Sequence, residues 1–204
     1  MAPAHRTHEQ SLLRLARRRP LLRSRDVMAA SIPTSVLSRL VTAGKLKRVG
    51  RGVYSLPNQP ITEHQSLAEV ALRVPQGVVC LVSALRFHGI GTQAPFEVWL
   101  AIPKNLPVPR IDQPSLRPVR MSGTALAEGI ERHVIEGVPV QVFNVAKTVA
   151  DCFKYRNKIG IDVALEALRE GWAQRKFRMD DLWHYATVDR VSNVIRPYLE
   201  SVTA

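Results

Sequence analysis

Cysteine is scarce in this 204-residue chain: Cys80 and Cys152 stand alone, in the apolar contexts VVCLV and VADCFKY, without C-x-x-C spacing. That excludes a disulfide-dense scaffold and a cysteine zinc site. It predicts two buried thiols in a reducing cytoplasm, with a single bridge between them as the alternative. Long apolar runs are missing too, so no membrane-spanning helix is expected. The N-terminal MAPAHRTHEQ has no apolar stretch of the kind a secretory signal needs, which predicts a soluble, cytoplasmic protein with no membrane partner. The chemical signatures are equally thin. There is no GxxxxGK[ST] phosphate loop, no HExxH, no GxSxG and no His/Cys cluster with metal-ligand spacing. No catalytic residue, metal or cofactor is therefore assigned.

Acidic residues are the remaining shortage, and it is local. The whole chain carries a net charge of +12, with 29 Lys and Arg against 17 Asp and Glu. Residues 1–57 hold twelve of those cations and only two acids, Glu9 and Asp26, for a net +10. The rest of the chain is almost balanced. A cationic excess packed into one quarter of a chain is the footprint expected of a polyphosphate-binding module.

What fills that quarter has an order. Gln10 to Arg18 sets Leu12, Leu13, Leu15 and Ala16 among basic neighbours, an amphipathic helix ended by Pro20. Ser24 is placed to cap a short helix over Arg25 to Ala30, with Asp26 in its first turn. Ser31-Ile32 forms a turn. Pro33 then opens a second helix running to Ala43, and Gly44 suits its left-handed stop. On that helix Val36, Leu37, Leu40 and Val41 make one apolar stripe, while Thr34, Ser35, Ser38, Arg39 and Thr42 take the other side. Short hydroxyl side chains with an arginine suit a recognition helix in the DNA major groove. Lys45, Lys47 and Arg48 lead into a hairpin with Arg51 at its tip between two glycines, and Val53, Tyr54 and Leu56 return. Helix, turn, helix and basic hairpin in this order read as a winged helix-turn-helix over residues 1–58. The residues assigned to DNA contact are Thr34, Ser35, Ser38, Arg39, Lys45, Lys47, Arg48 and Arg51.

After a linker at Asn58-Gln59-Pro60, residues 61–204 read as a larger α+β domain with a helical C-terminal half. Thr62 and Gln65 suggest a capping box for a helix to about Arg73. Strands are expected at Val78–Val82 and Glu97–Ile102, with a short helix Ser83–Phe87 between them. A proline-stiffened connection spans 103–118, and a hairpin over Arg132–Ile135 and Val138–Phe143 turns at Glu136-Gly137. Helices are expected over Val145–Tyr155, Ile161–Gln174, Asp180–Thr187 and Val191–Val202. His88 reads as a helix-end cap or core-edge histidine, and Lys147 with Asp151, like Glu166 with Arg169 or Glu170, as exposed helical ion pairs. The basic run Lys154, Arg156 and Lys158 around Tyr155 is a possible partner surface, with a solvated helix end as the bland alternative.

Both parts together resemble the AbiEi family, antitoxins of bacterial type IV toxin–antitoxin systems. The resemblance rests on SVLSRLVTAGKLKRVGRGVYSLP in the first part. In the second it rests on CLVSALRFHGI, FNVAKTVADCFKYRNKIGIDVALEALRE and VIRPYL. It implies repression of the protein's own operon through double-stranded promoter DNA. It also implies antagonism of a nucleotidyltransferase-like toxin, for which no stable complex is required. Ser31 departs from the glycine that the resemblance implies at that turn. Two other readings remain. A plain winged-helix regulator with a ligand- or protein-sensing C-terminal domain needs no toxin. Some similar proteins continue into a Vsr-like endonuclease domain, but this sequence lacks the acidic pair and Glu-x-Lys cluster such an enzyme uses.

Overall fold

The computed structural model describes residues 3–58, 63–111 and 113–203. It is α+β, with a winged helix at the N-terminus and a larger mixed sheet under helices after it. The chain gathers into two compact units, Met1–Glu69 with Val134–Pro139, and Val70–His133 with Val140–Ala204.

In the first unit the elements run α1 (Pro3–Arg18), β1 (Leu22–Arg23), α2 (Ser24–Ala29), α3 (Thr34–Thr42), β2 (Lys47–Gly50) and β3 (Val53–Ser55). Leu12 and Ala16, one turn apart on α1, are buried with Leu22, Val27, Ile32, Val36, Leu37, Leu40 and Leu46. Each leucine so buried stabilises the unit by roughly 1.5–3 kcal/mol relative to exposure. The small sheet has the order β1-β3-β2, with Leu22 opposite Tyr54 and Lys47 opposite Ser55. Two features escaped the sequence pattern. Helix α1 begins seven residues before Gln10, at Pro3, in a stretch without an apolar stripe. Strand β1 is only two residues long, too short to show alternation.

Ser24 is not the cap of α2 but its first residue; Arg23 occupies the cap position. Asp26 still works at that end, accepting from the Arg23 backbone N–H at 3.0 Å. The Ser24 N–H is instead drawn to the Gly52 carbonyl, at 2.9 Å, which ties the start of α2 to the turn between β2 and β3. Helix α3 ends as its sequence suggests. Gly44 takes φ +67°, and the Lys45 N–H reaches back to the Leu40 carbonyl at 2.9 Å.

Ser31 sits in the turn between α2 and α3 with φ +58°. An L-residue is held in that region at a cost of roughly 1–2 kcal/mol, which glycine escapes. Glycine loses more freedom on folding, roughly 0.5–1 kcal/mol. Ser31→Gly is therefore expected to stabilise the protein by up to about 1 kcal/mol. Urea denaturation of the two proteins measures it; a loss of stability would show that the serine hydroxyl holds the turn.

A sheet of order β6-β5-β4-β8-β7 makes up most of the second unit, while the tip of its β7–β8 hairpin, Val134–Pro139, is counted with the first. Helix α4 (Gln65–Arg73) leads to β4 (Val78–Val79), α5 (Leu81–Phe87), β5 (Val98–Pro103) and β6 (Leu116–Met121). Next come α6 (Thr124–Ala127), β7 (Ile130–Ile135), β8 (Val138–Phe143), α7 (Val145–Lys154) and α8 (Arg156–Ile159). The chain closes with α9 (Ile161–Ala173), α10 (Met179–Val188) and α11 (Ser192–Thr203). Thr62 of the expected capping box, and Gln59 and Pro60 of the linker, lie outside the described residues.

Strand β4 is shorter than expected, because the chain turns into α5 at Leu81. The proline-rich stretch ends in a strand rather than in coil. β6 pairs in parallel with β5 from Val98 opposite Leu116 to Pro103 opposite Met121. A parallel pair needs a crossover of about a dozen residues, and 104–115 supply it. Pro118 is tolerated because β6 is an edge strand. The Arg120 guanidinium pins the crossover by donating to the carbonyls of Pro103, at 2.9 Å, and Leu106. At the β7–β8 turn Glu136 and Gly137 both take positive φ, 52° and 73°, as a two-residue hairpin loop requires.

Candidate nucleic-acid interface

The eight residues assigned to DNA contact fall on one unit and are all exposed. Thr34, Ser35, Ser38 and Arg39 line the face of α3 opposite buried Val36, Leu37 and Leu40. Val41, assigned to the apolar stripe, is only half-buried. Lys45 follows the helix stop; Lys47 and Arg48 lie on β2, and Arg51 is in the turn beyond it.

The wing has a definite construction. Gly50 pairs with Val53, which leaves Arg51-Gly52 as the turn, and a register shift between Arg48 and Gly50 twists the strand. Only Gly52, at φ +70°, takes the left-handed conformation; Gly50 does not need it. The Arg48 side chain folds back, its Nε donating to the Gly50 carbonyl at 3.3 Å. Arg51 is thus the cation placed at the tip, on a turn that Ser24 holds from the α2 side.

The cations are not all equally available. Lys45 Nζ lies 2.6 Å from Glu9 Oε1 of α1. The hydrogen bond from Lys45 holds the Glu9 carboxyl below its ordinary pKa, aided by the charges of Lys45 and Arg39, so the carboxylate is ionised at neutral pH. Hydroxyls, an arginine and lysines presented on a helix and its adjoining hairpin can donate to phosphate oxygens and to base edges.

The second unit carries a different arrangement, which the sequence pattern misjudged. Lys147 and Asp151, expected as an exposed pair, are fully buried. Helix α7 is buried on every side from Val145 to Phe153, so its i,i+4 pair has no solvent face to occupy. Asn144 caps the helix by accepting from the Lys147 N–H at 2.8 Å. Lys147 Nζ then donates to Asp151 Oδ1 at 2.5 Å and to Asp189 Oδ2 at 3.2 Å. Lys154 donates to the second Asp189 oxygen at 2.9 Å. Burial pushes the Asp151 carboxyl well above its ordinary pKa, and neighbouring Asp189 adds to the rise against the pull of Lys147. Burial works against the Lys147 charge, but Asp151 and Asp189 together push its pKa up. The cluster joins α7 to the C-terminal end of α10 and has the character of a structural lock.

Glu166 and Glu170 likewise make no helical ion pair with Arg169. Glu170 accepts from the Gly91 N–H at 2.7 Å, and Glu166 from the Thr92 N–H at 3.1 Å. They clamp the loop after α5, which presents Phe96 at 88% exposure. Beside that loop a cavity of about 290 Å³ is lined by Phe96, Trp99, Lys158 and Ile159 among others. Of the three cations proposed as a partner surface, Lys158 is exposed and stands over the Tyr155 ring at 5.5 Å. Arg156 is half-buried and donates to the Phe153 carbonyl, and Lys154 is committed to Asp189.

His88 behaves as a core-edge residue at the end of α5, its Nε2 2.8 Å from the Phe143 carbonyl. Burial lowers its pKa, which favours the neutral ring. Cys80 and Cys152 are free, buried thiols whose pKa values burial pushes well up. Among the described residues no group of three or more His, Cys, Asp or Glu is arranged to hold a metal ion. Among them, too, no helix is long and apolar enough to cross a membrane.

The crystal structure of the RV2827C protein from Mycobacterium tuberculosis is similar in fold. Its TM-score is 0.62 at 13% identity, over 92% of this chain and 72% of that one. A search of curated proteins gives no match. Residues 10–57 match the family model described as "Transcriptional regulator, AbiEi antitoxin". That span covers most of α1 and the whole of α2, α3 and the wing, and over it this chain is similar to the transcriptional regulators of the AbiEi antitoxin family.

Proposed function

We propose that the protein is a repressor-antitoxin. Its N-terminal unit binds double-stranded DNA at the promoter of its own operon, with α3 in the major groove and the Arg51 wing on the flanking backbone. The observation that carries this reading is the exposure of Thr34, Ser35, Ser38, Arg39, Lys47 and Arg51 on a helix and its adjoining hairpin, in a segment that bears +10 of the +12 net charge. The test is a titration of the pure protein against its own upstream sequence and a scrambled duplex at several salt concentrations. Specific binding that weakens steeply with salt is expected; equal, salt-insensitive binding to both would refute it.

Residues 61–204 carry the second role, opposition to a nucleotidyltransferase-like toxin. The protein needs no enzymatic activity for either task. Lys158 and Arg156, near the cavity beside Phe96, are where toxin antagonism is best sought. Lys154 is excluded from that test because its amine belongs to the buried cluster. The paired change Arg156→Glu and Lys158→Glu is expected to reduce rescue of cells expressing the adjacent toxin by about tenfold, an effect of roughly 1.4 kcal/mol. Wild-type rescue with an unaffected variant would move the antitoxic surface elsewhere. The plain regulator remains the second reading, favoured by the match being confined to residues 10–57. A nucleotidyltransferase-like reading frame next to the gene separates the two.

A further inference from the structure

Glu9 is one of two acids in a segment of twelve cations. The other, Asp26, is used up at the start of α2. Among the described residues Glu9 has no comparable backbone duty; its carboxylate lies 2.6 Å from Lys45 Nζ and feels the charge of Arg39 as well. One anion is therefore bonded to one of the eight residues assigned to DNA contact and feels the charge of a second. The pair is at the surface, with side-chain exposures of 55% for Lys45 and 26% for Glu9. Exposed pairs of this kind contribute little to folding. A carboxylate beside a phosphate-binding lysine, by contrast, has a direct consequence for binding.

We infer that Glu9 is a built-in anionic competitor of the DNA backbone: it occupies Lys45 in the free protein and limits the affinity of the recognition surface. The inference rests on the DNA-binding reading of the N-terminal unit. For Lys45 to take a phosphate, its bond to Glu9 must open or be shared, and the phosphate then lies close to a like charge. Two terms follow with the same sign. One cation is withheld from counterion release, and a repulsion is added. Helix α1 thereby belongs to the interface as its negative element, which keeps non-specific attachment of a strongly basic module in check.

The probe is a non-specific DNA duplex of random sequence, titrated with full-length wild type, Glu9→Gln, Lys45→Met and the double variant at several salt concentrations. Glu9→Gln is expected to bind roughly three- to tenfold tighter near 0.1 M salt and to steepen the salt slope by up to about 0.9, the share of one phosphate contact. In the Lys45→Met background the same change should gain clearly less, because the partner it frees is gone. Thermal midpoints of wild type and Glu9→Gln should agree. Unchanged or weaker binding by Glu9→Gln overturns the inference, weaker binding meaning that Glu9 positions Lys45 for contact. An equal gain in both backgrounds also overturns it, since Glu9 would then act as a remote charge. If wild type itself shows no salt-dependent binding to duplex, the DNA-binding reading fails, a result distinct from wild-type binding that Glu9→Gln leaves alone.

Discussion

Lys147→Met is expected to destabilise the protein by about 3–5 kcal/mol at neutral pH, enough to unfold a marginal domain. The side chains of Lys147, Asp151 and Asp189 have no solvent exposure, and Lys147 supplies the charge that both carboxylates face. Asp189 keeps a second cation in Lys154; among the described residues Asp151 has no other cation, and one of its oxygens already lacks a hydrogen bond. The cost is that of a stranded buried carboxylate, not of a lost attraction alone. The double variant Lys147→Met with Asp151→Leu should accordingly recover a large part of the loss. Urea denaturation of the three proteins tests this, and a double variant no more stable than the single one would mean that packing around α7 decides the matter.

The same cluster fixes a pH dependence. The folded pKa of Asp151 is raised, so the fold favours its protonated form. Its contribution is greatest below the unfolded carboxylate range and is lost as pH rises through the folded value. In Lys147→Met that value rises further, so the deficit against wild type should shrink as the pH falls. On the alkaline side Lys147 and Tyr155 act together. Burial first, with Asp151 adding, pushes the Tyr155 phenol up to about 12, while Lys147 is raised above the usual lysine value. Both contributions are complete below the ordinary pKa values near 10 and are lost as pH rises through the folded ones.

How much of this was legible in the residues depends on where each signal lives. Local backbone chemistry could be read: Gly44 stops α3, Glu136-Gly137 turns a hairpin, and Val36, Leu37 and Leu40 face inward. The uncomfortable φ of Ser31 was visible as a serine where a glycine fits. Tertiary placement could not be read. Lys147 and Asp151 have the same i,i+4 spacing whether α7 lies on the surface or in the middle of the unit, and polar residue types argued for the surface. Glu166 and Glu170 gave no hint that their partners would be the N–H groups of Gly91 and Thr92, more than seventy positions away. Strand β6 was hidden by Pro118, which weighs against a strand everywhere except at an edge. The exposure of Thr34, Ser35, Ser38 and Arg39 could be read, because on α3 it follows from the apolar stripe. The Lys45–Glu9 bond was not, because it joins elements 36 positions apart.

Reversing the wing, by Lys47→Glu together with Arg51→Glu, is expected to weaken binding to specific and scrambled duplexes alike, by roughly fiftyfold or more near 0.1 M salt. Two phosphate contacts carry a salt slope of about 1.8, so their removal alone lowers log K by about that amount relative to 1 M, and the new carboxylates repel in addition. Both side chains are exposed, and the turn that carries Arg51 is held by Gly52 and by the bond from Ser24, neither of which the substitutions touch. Folding should therefore be preserved, and a far-ultraviolet spectrum and thermal midpoint matching wild type would certify the comparison. Arg39 and Ser38 on α3 should answer differently. Arg39→Ala or Ser38→Ala would alter the ratio between specific and scrambled duplex by about 1–3 kcal/mol if they read base edges, whereas the wing variant should leave that ratio nearly unchanged. A wing reversal that keeps wild-type affinity would remove Lys47 and Arg51 from the interface. A reversal that abolishes only specific binding would instead mean that the wing reads sequence, as an arginine entering a narrow minor groove can do.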